Sequence, residues 1–122
     1  MALTNYEDIV INQGTDTAIE IHLQHDSGSA FDLTNRTATA KMKRRFADSA
    51  NDPDTVAFNA IIATPPQSGI VTLSLTNTQT DALKTRGRYV YDVEISHTDS
   101  DGSSIIQRVL EGQIEVSPSV TK

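Results

Sequence analysis

The sequence predicts an all-β fold, an antiparallel β-sandwich of about seven strands with one short helical turn, and three observations lead there. Apolar and polar residues alternate with a period of two in segment after segment, which puts every second side chain on one face of a strand. The segments are joined by short runs of Gly, Pro, Asp, Asn and Ser, the residues that turn a chain. Aromatic residues make up only 5% and Trp is absent, so the core must be built from Ile, Val, Leu and Ala, which suits two thin layers of sheet.

The first segment, residues 7–12, sets Ile9 and Ile11 on one side. Residues 15–24 are the clearest amphipathic strand: Thr17, Ile19, Ile21 and Leu23 face inward, while Ala18, Glu20, His22 and Gln24 face out. Asp26, Ser27, Gly28 and Ser29 favour a turn, after which Phe31 and Leu33 re-enter the core. Residues 37–46 carry Ala38, Ala40 and Met42 on one face and Thr37, Thr39, Lys41, Lys43 and Arg45 on the other. Ala, Lys, Met and Arg also favour helix, but the alternating Thr residues favour strand.

Residues 48–54 hold no apolar side chain larger than Ala and a central Pro, the composition of an exposed loop. Val56, Phe58, Ala60 and Ile62 then alternate as a fourth strand, which pairs in a hairpin with Val71, Leu73 and Leu75 across the turn at residues 64–69. Residues 77–84 break the alternation and read as one helical turn, with Thr78 or Thr80 as its cap. Tyr89, Tyr91, Val93 and Ile95 form the inner face of the next strand; Arg88, Val90, Asp92 and Glu94 form its outer face. Asp101-Gly102 signals a hairpin turn into a last strand over residues 104–116, with a bulge or bend expected at Gly112.

At 122 residues the chain is long enough for one core, and we read residues 1–122 as a single domain. With no Cys, disulfides, thiolate metal sites and cysteine nucleophiles are excluded. The start has no basic segment followed by an apolar stretch, and no run of eighteen apolar residues occurs, so neither a signal peptide nor a membrane span is expected. Sixteen acidic against ten basic side chains give a net charge of -6, the wrong sign for a phosphate-neutralising protein, and nucleic acid is not an expected partner.

Catalytic motifs are missing. His22, His25 and His97 have no metal-site spacing and read as solvated residues on a polar face or at turns. Asp99, Ser100, Asp101 and Gly102 lead into Ile105 and Ile106 rather than into further calcium ligands. No GxSxG elbow or phosphate-cradling glycine loop occurs. Catalytic residues, cofactors, metals and a small-molecule substrate are therefore not expected. Candidate partner contacts are the basic run Lys41, Lys43, Arg44 and Arg45, and the acidic loop residues Asp52 and Asp54. The basic run is either a solvated strand face or a docking patch for an acidic surface.

The order of elements resembles the Ig-like domain at the N-terminus of phage baseplate upper proteins and related small phage structural proteins. The likeness rests on residues 9–16 (IVINQGTD), on Phe31-Asp32-Leu33-Thr34, on residues 69–73 (GIVTL), on residues 87–93 (GRYVYDV), on residues 112–116 (GQIEV) and on the closing Val120-Thr121, and it spans almost the whole chain. It implies an Ig-like sandwich and a non-enzymatic virion protein, made in the host cytoplasm, whose partners are capsid or tail components and copies of itself. Baseplate proteins of this type continue beyond the domain, whereas this sequence stops at Lys122, which favours an adaptor, decoration or cement role over adhesion. The alternative is a carbohydrate- or receptor-binding sandwich, for which exposed aromatic rings are the expected sign; the lack of Trp and the inward Tyr89 and Tyr91 speak against it.

Overall fold

A computed structural model describes residues 5–25, 27–45 and 54–120. Two sheets face each other. The larger contains β1 (Asn5–Tyr6), β2 (Ile9–Asn12), β4 (Thr37–Lys43), β5 (Val56–Ala57), β8 (Arg88–Thr98) and β9 (Ser104–Ser117). The smaller contains β3 (Thr17–His22), β6 (Asn59–Ile62) and β7 (Ile70–Leu75). In the larger sheet β1 and β2 lie along β9, followed by β8, β4 and β5; in the smaller, β7 lies between β3 and β6. The all-β sandwich expected from the alternation is the observed fold.

The inner faces are those the period of two assigns. Ile21, Val71, Leu73 and Leu75 from the smaller sheet meet Met42, Tyr91, Val93, Ile95 and Ile114 from the larger, all buried. Phe31 and Leu33, which belong to no named strand, are also buried in this core, with Phe31 N–H bonded to the Leu23 carbonyl at 2.9 Å.

Four details differ from the sequence reading. The sheet is not wholly antiparallel: β1 and β2 run parallel to β9, pairing Tyr6 with Glu111 and Ile11 with Val116. Period and composition fix which face a strand buries but not the direction of its neighbour. Second, the expected fourth strand divides at Phe58. Val56–Ala57 pairs with β4 in the larger sheet, Asn59–Ile62 with β7 in the smaller, and buried Phe58 spans the corner with its N–H on the Ala40 carbonyl at 3.0 Å. The nine strands among the described residues follow from this split and from the two short N-terminal pieces.

Third, the helical turn α1 (Asn77–Asp81) is capped by Thr76, not by Thr78 or Thr80. Thr76 Oγ1 accepts from Gln79 N–H at 3.3 Å and Gln79 Oε1 accepts from Thr76 N–H at 2.9 Å, a reciprocal capping box. Asp16 Oδ1 takes the next free N–H, that of Asn77, at 2.7 Å. Thr80 instead lies fully buried and donates to the Thr15 carbonyl at 2.7 Å, tying α1 to the β2–β3 connection.

Fourth, the bulge of β9 is at Val109, not at Gly112. Val93 pairs with Leu110 and Glu94 with Arg108, so Val109 has no partner across the strand and both Val109 and Leu110 turn inward. Gly112 sits in regular register opposite Tyr91 for a different reason. A Cβ there would lie 2.0 Å from the Glu7 carbonyl oxygen. Between β1 and β2 the chain dips over Gly112, and the Glu7 carbonyl points inward to accept the Tyr91 hydroxyl at 2.6 Å. Gln113 N–H donates to Asp8 Oδ1 at 3.2 Å beside it. The N-terminal strand is thus latched onto β9 by one tyrosine and one missing side chain.

The latch carries a pH dependence. Burial, followed by the nearby carboxylates of Glu7 and Asp8, raises the Tyr91 phenol well above its ordinary value of 10.0. The folded protein holds the neutral phenol, so this contribution to stability is complete below pH 10 and is lost as pH rises above it through the folded value. Tyr91→Phe is expected to flatten the alkaline limb of stability measured by denaturant titration. An unchanged alkaline limb would show that the loss comes from other groups.

Candidate interaction surfaces

The basic run does not form one patch. Lys41 and Lys43 alternate outward on β4 and are half-buried among neighbours on the outer face of the larger sheet, opposite Asp92 and Val90 of β8. Arg44 folds back toward the sandwich: its guanidinium lies 4.9 Å from the centre of the Tyr89 ring and donates to the Arg86 carbonyl at 2.5 Å. Arg45 is exposed beyond the strand end. Asp54 pairs with Lys84 at 2.9 Å and so belongs to a local ion pair; Asp52 lies outside the described residues.

Arg44 is therefore a packing residue, which the sequence could not distinguish from the lysines beside it. Removing it as Arg44→Ala is expected to cost about 1 kcal/mol through the lost stacking and hydrogen bond, whereas Lys41→Ala should leave stability within about 0.5 kcal/mol. Chemical denaturation of both variants checks the difference; equal effects would contradict the split.

The outer face to which Lys41 and Lys43 belong is shallowly concave. An open groove of about 360 Å³ is lined by Lys41 and Lys43 on one side, Val90, Asp92 and Glu94 along the middle, and Arg108 and Glu111 on the other side. Arg108 bridges two carboxylates, with Nε 3.2 Å from Asp92 Oδ2 and Nη1 3.5 Å from Glu111 Oε2. The alternation had turned Asp92 and Glu94 outward. What it could not supply was register, which brings Lys41 beside Asp92, and Arg108 beside Glu94. Arg108, the residue immediately before the bulge, reaches across the sheet to Asp92.

At the end of the sandwich near the β8–β9 hairpin, His25 stacks on Phe31 at 5.0 Å and the Arg36 guanidinium lies 5.7 Å from the same ring centre. Arg36 Nη1 is 2.6 Å from His97 Nδ1. A guanidinium has no acceptor, so Nδ1 accepts and the imidazole proton sits on Nε2. His97 thus lies within β8 and is half-buried, not at a solvated turn, and His25 is half-buried against a ring; His22 is exposed beside Glu20, as its place on the polar face requires. His97 moves off the expected turn because β8 runs three residues past Ile95, bringing it over Arg36, whereas His25 keeps its place at the turn and is half-buried only through its stack on Phe31. Among the described residues, no three His, Asp or Glu side chains converge as a metal-ligand set.

No family model matches the sequence, and no curated protein matches it either. A solved structure of murine CRIg superposes with a TM-score of 0.52, covering 91% of this chain and 92% of that one at 14% identity. The chain has an immunoglobulin-like fold. In the terms of that fold, β8 is the strand that ordinarily carries one cysteine of the inter-sheet disulfide. This chain has no cysteine, and its β8 places Tyr91 in the core instead, two residues after Tyr89. Tyr89 accepts the Lys84 N–H on its hydroxyl at 2.9 Å, the corner bond that immunoglobulin-like domains make at this point of the chain. Apolar side chains left outside the core include Tyr6, Val10, Ile61 and Ile106, each more than half exposed.

Proposed function

We propose that the chain is a non-enzymatic structural protein of a phage particle, an adaptor of the tail, baseplate or neck or a decoration or cement protein of the capsid, located in the virion. Its work on this reading is to be placed by protein–protein contacts. The observation that carries the reading is the outer face of the larger sheet, a broad surface with charges in ordered bands and an open groove rather than an enclosed pocket. The order of motifs from Ile9 to Thr121, with its likeness to phage baseplate domains, supports the setting.

A glycan-binding reading draws less support. Among the described residues Tyr6 is the exposed aromatic ring, while Phe31, Phe58, Tyr89 and Tyr91 are buried. The test is light scattering of the purified chain mixed with the capsid and tail proteins encoded beside it. Formation of a defined complex with one of them supports the proposal. A chain that binds none of them, and binds a glycan array instead, would replace it with the second reading.

A further inference from the structure

We infer that the outer face of the larger sheet binds the same face of a second copy of this chain, related by a two-fold axis running along β8. The inference deepens the proposed role by naming one partner, and it rests on the reading of that face as a contact surface.

The face has two halves of opposite sign. On β4, Lys41 and Lys43 point outward, and neither makes an ion pair with a described residue. On β8 and β9 the outward positions hold four carboxylates, Asp92, Glu94, Glu111 and Glu115, against two guanidinium groups, Arg88 and Arg108. A chain of net charge -6 has few cationic surfaces, so a lysine row with no ion-pair partner among the described residues favours an acidic occupant. The acidic half of the same face is such an occupant. It lies one strand away, on the far side of β8.

Two-fold rotation about β8 lays the lysine row of each copy over the β9 band of the other, so that each favourable contact forms twice. Residues on the axis meet their own copies, so Arg88, Asp92 and Glu94 each face a like charge, which an opposite charge on β9, Glu115 for Arg88 and Arg108 for the two carboxylates, offsets. Val90 is apolar and half-buried, and Asp92 is already bridged by Arg108 at 3.2 Å. Glu94 stands directly opposite Arg108 in the strand register. The groove between the lysine row and the Arg108 bridge gives the partner's long side chains room to enter.

The size is at the low end of what a specific interface needs. At about 3.3 Å per residue along a strand and about 4.8 Å between strands, the strands of this sheet span roughly 630 Å², against about 600 Å² per partner for the smallest stable interfaces. Because the attraction is between exposed charges, association should weaken as salt shortens the screening length from about 10 Å at 0.1 M to about 3 Å at 1 M.

Sedimentation equilibrium of the full chain tests this with two charge-reversed variants, Lys41→Glu/Lys43→Glu and Glu111→Lys/Glu115→Lys. The wild type is expected to dimerise, with at least a tenfold weaker Kd in high salt. Each variant alone is expected to be monomeric, because its two halves now carry one sign. An equimolar mixture of the two should dimerise again, since both crossed contacts are complementary. Matching melting temperatures show that the variants fold; where one does not, the salt dependence of the wild-type dimer decides. A wild type that stays monomeric overturns the inference, as does a dimer indifferent to the charge reversals and to salt, or a mixture that stays monomeric. A monomer that still binds particle proteins overturns this inference while leaving the proposed function standing.

Discussion

Tyr91→Ala is expected to destabilise the protein by roughly 3–5 kcal/mol, the range for removing a large ring from a packed core. Tyr91 is 3% exposed, lies between Met42 and Gly112 in the inner face of the larger sheet, and carries the hydroxyl that holds the Glu7 carbonyl. The substitution therefore removes two things: ring volume, and the partner of a carbonyl turned toward the interior. Tyr91→Phe separates them. It keeps the volume and leaves the Glu7 oxygen without its donor, for an expected cost of about 1–3 kcal/mol. Since a small domain has only about 5–15 kcal/mol in total, the alanine variant should lower Tm by roughly 10 °C or more. A loss under about 1 kcal/mol in Tyr91→Ala would mean that the ring is not part of the core.

Gly112→Ala reaches the same latch from the other side. Gly112 is in ordinary strand conformation, so alanine meets no backbone penalty there; the obstacle is the Glu7 carbonyl, with its oxygen 2.0 Å and its carbon 2.7 Å from the position of the new methyl group. Both are backbone atoms. The β1–β2 link must lift off β9, taking with it the Tyr91 hydrogen bond and the Glu7 N–H bond to the Glu111 carbonyl at 2.8 Å. A loss of roughly 2 kcal/mol or more is expected, together with faster amide exchange in β2. Gly102→Ala is the control. Its methyl group meets nothing within 4 Å and its φ is +82°, so it should cost only about 1 kcal/mol of conformational strain and leave exchange in β2 unchanged. Equal behaviour of the two variants would contradict the latch.

The two substitutions show where sequence reading reaches and where it stops. Alternation identified the inward faces of β3, β4, β7 and β8 because one face of each is buried and the period of two leaves no second choice. It could not see that Val56 and Ala60 belong to different sheets, since a strand that crosses at Phe58 keeps the same alternation on both sides. Nor could it see that β1 and β2 run parallel to β9, because direction is set by distant partners. Gly112 resembled a bulge because a lone glycine in a strand has two explanations, and only the approach of Glu7 decides between them.

The candidate surface divides in the same way. The outward turn of Lys41, Lys43, Asp92 and Glu94 is a property of each strand and was legible. Arg44 was not separable from its neighbours, because its inward course depends on Tyr89 and on the Arg86 carbonyl, more than forty positions away in sequence. Arg108 gave no sign of itself, since its bridge to Asp92 and Glu111 exists only through the register slip at Val109.

The proposed function is tested most directly by quantitative mass spectrometry of purified particles of the phage that, on this proposal, encodes the chain. The account predicts that the chain copurifies with the particles at a fixed ratio to the major capsid or tail protein and resists a salt wash that strips loosely bound protein. Its absence from particles, with the whole amount left in the lysate supernatant, would contradict a structural role in the virion.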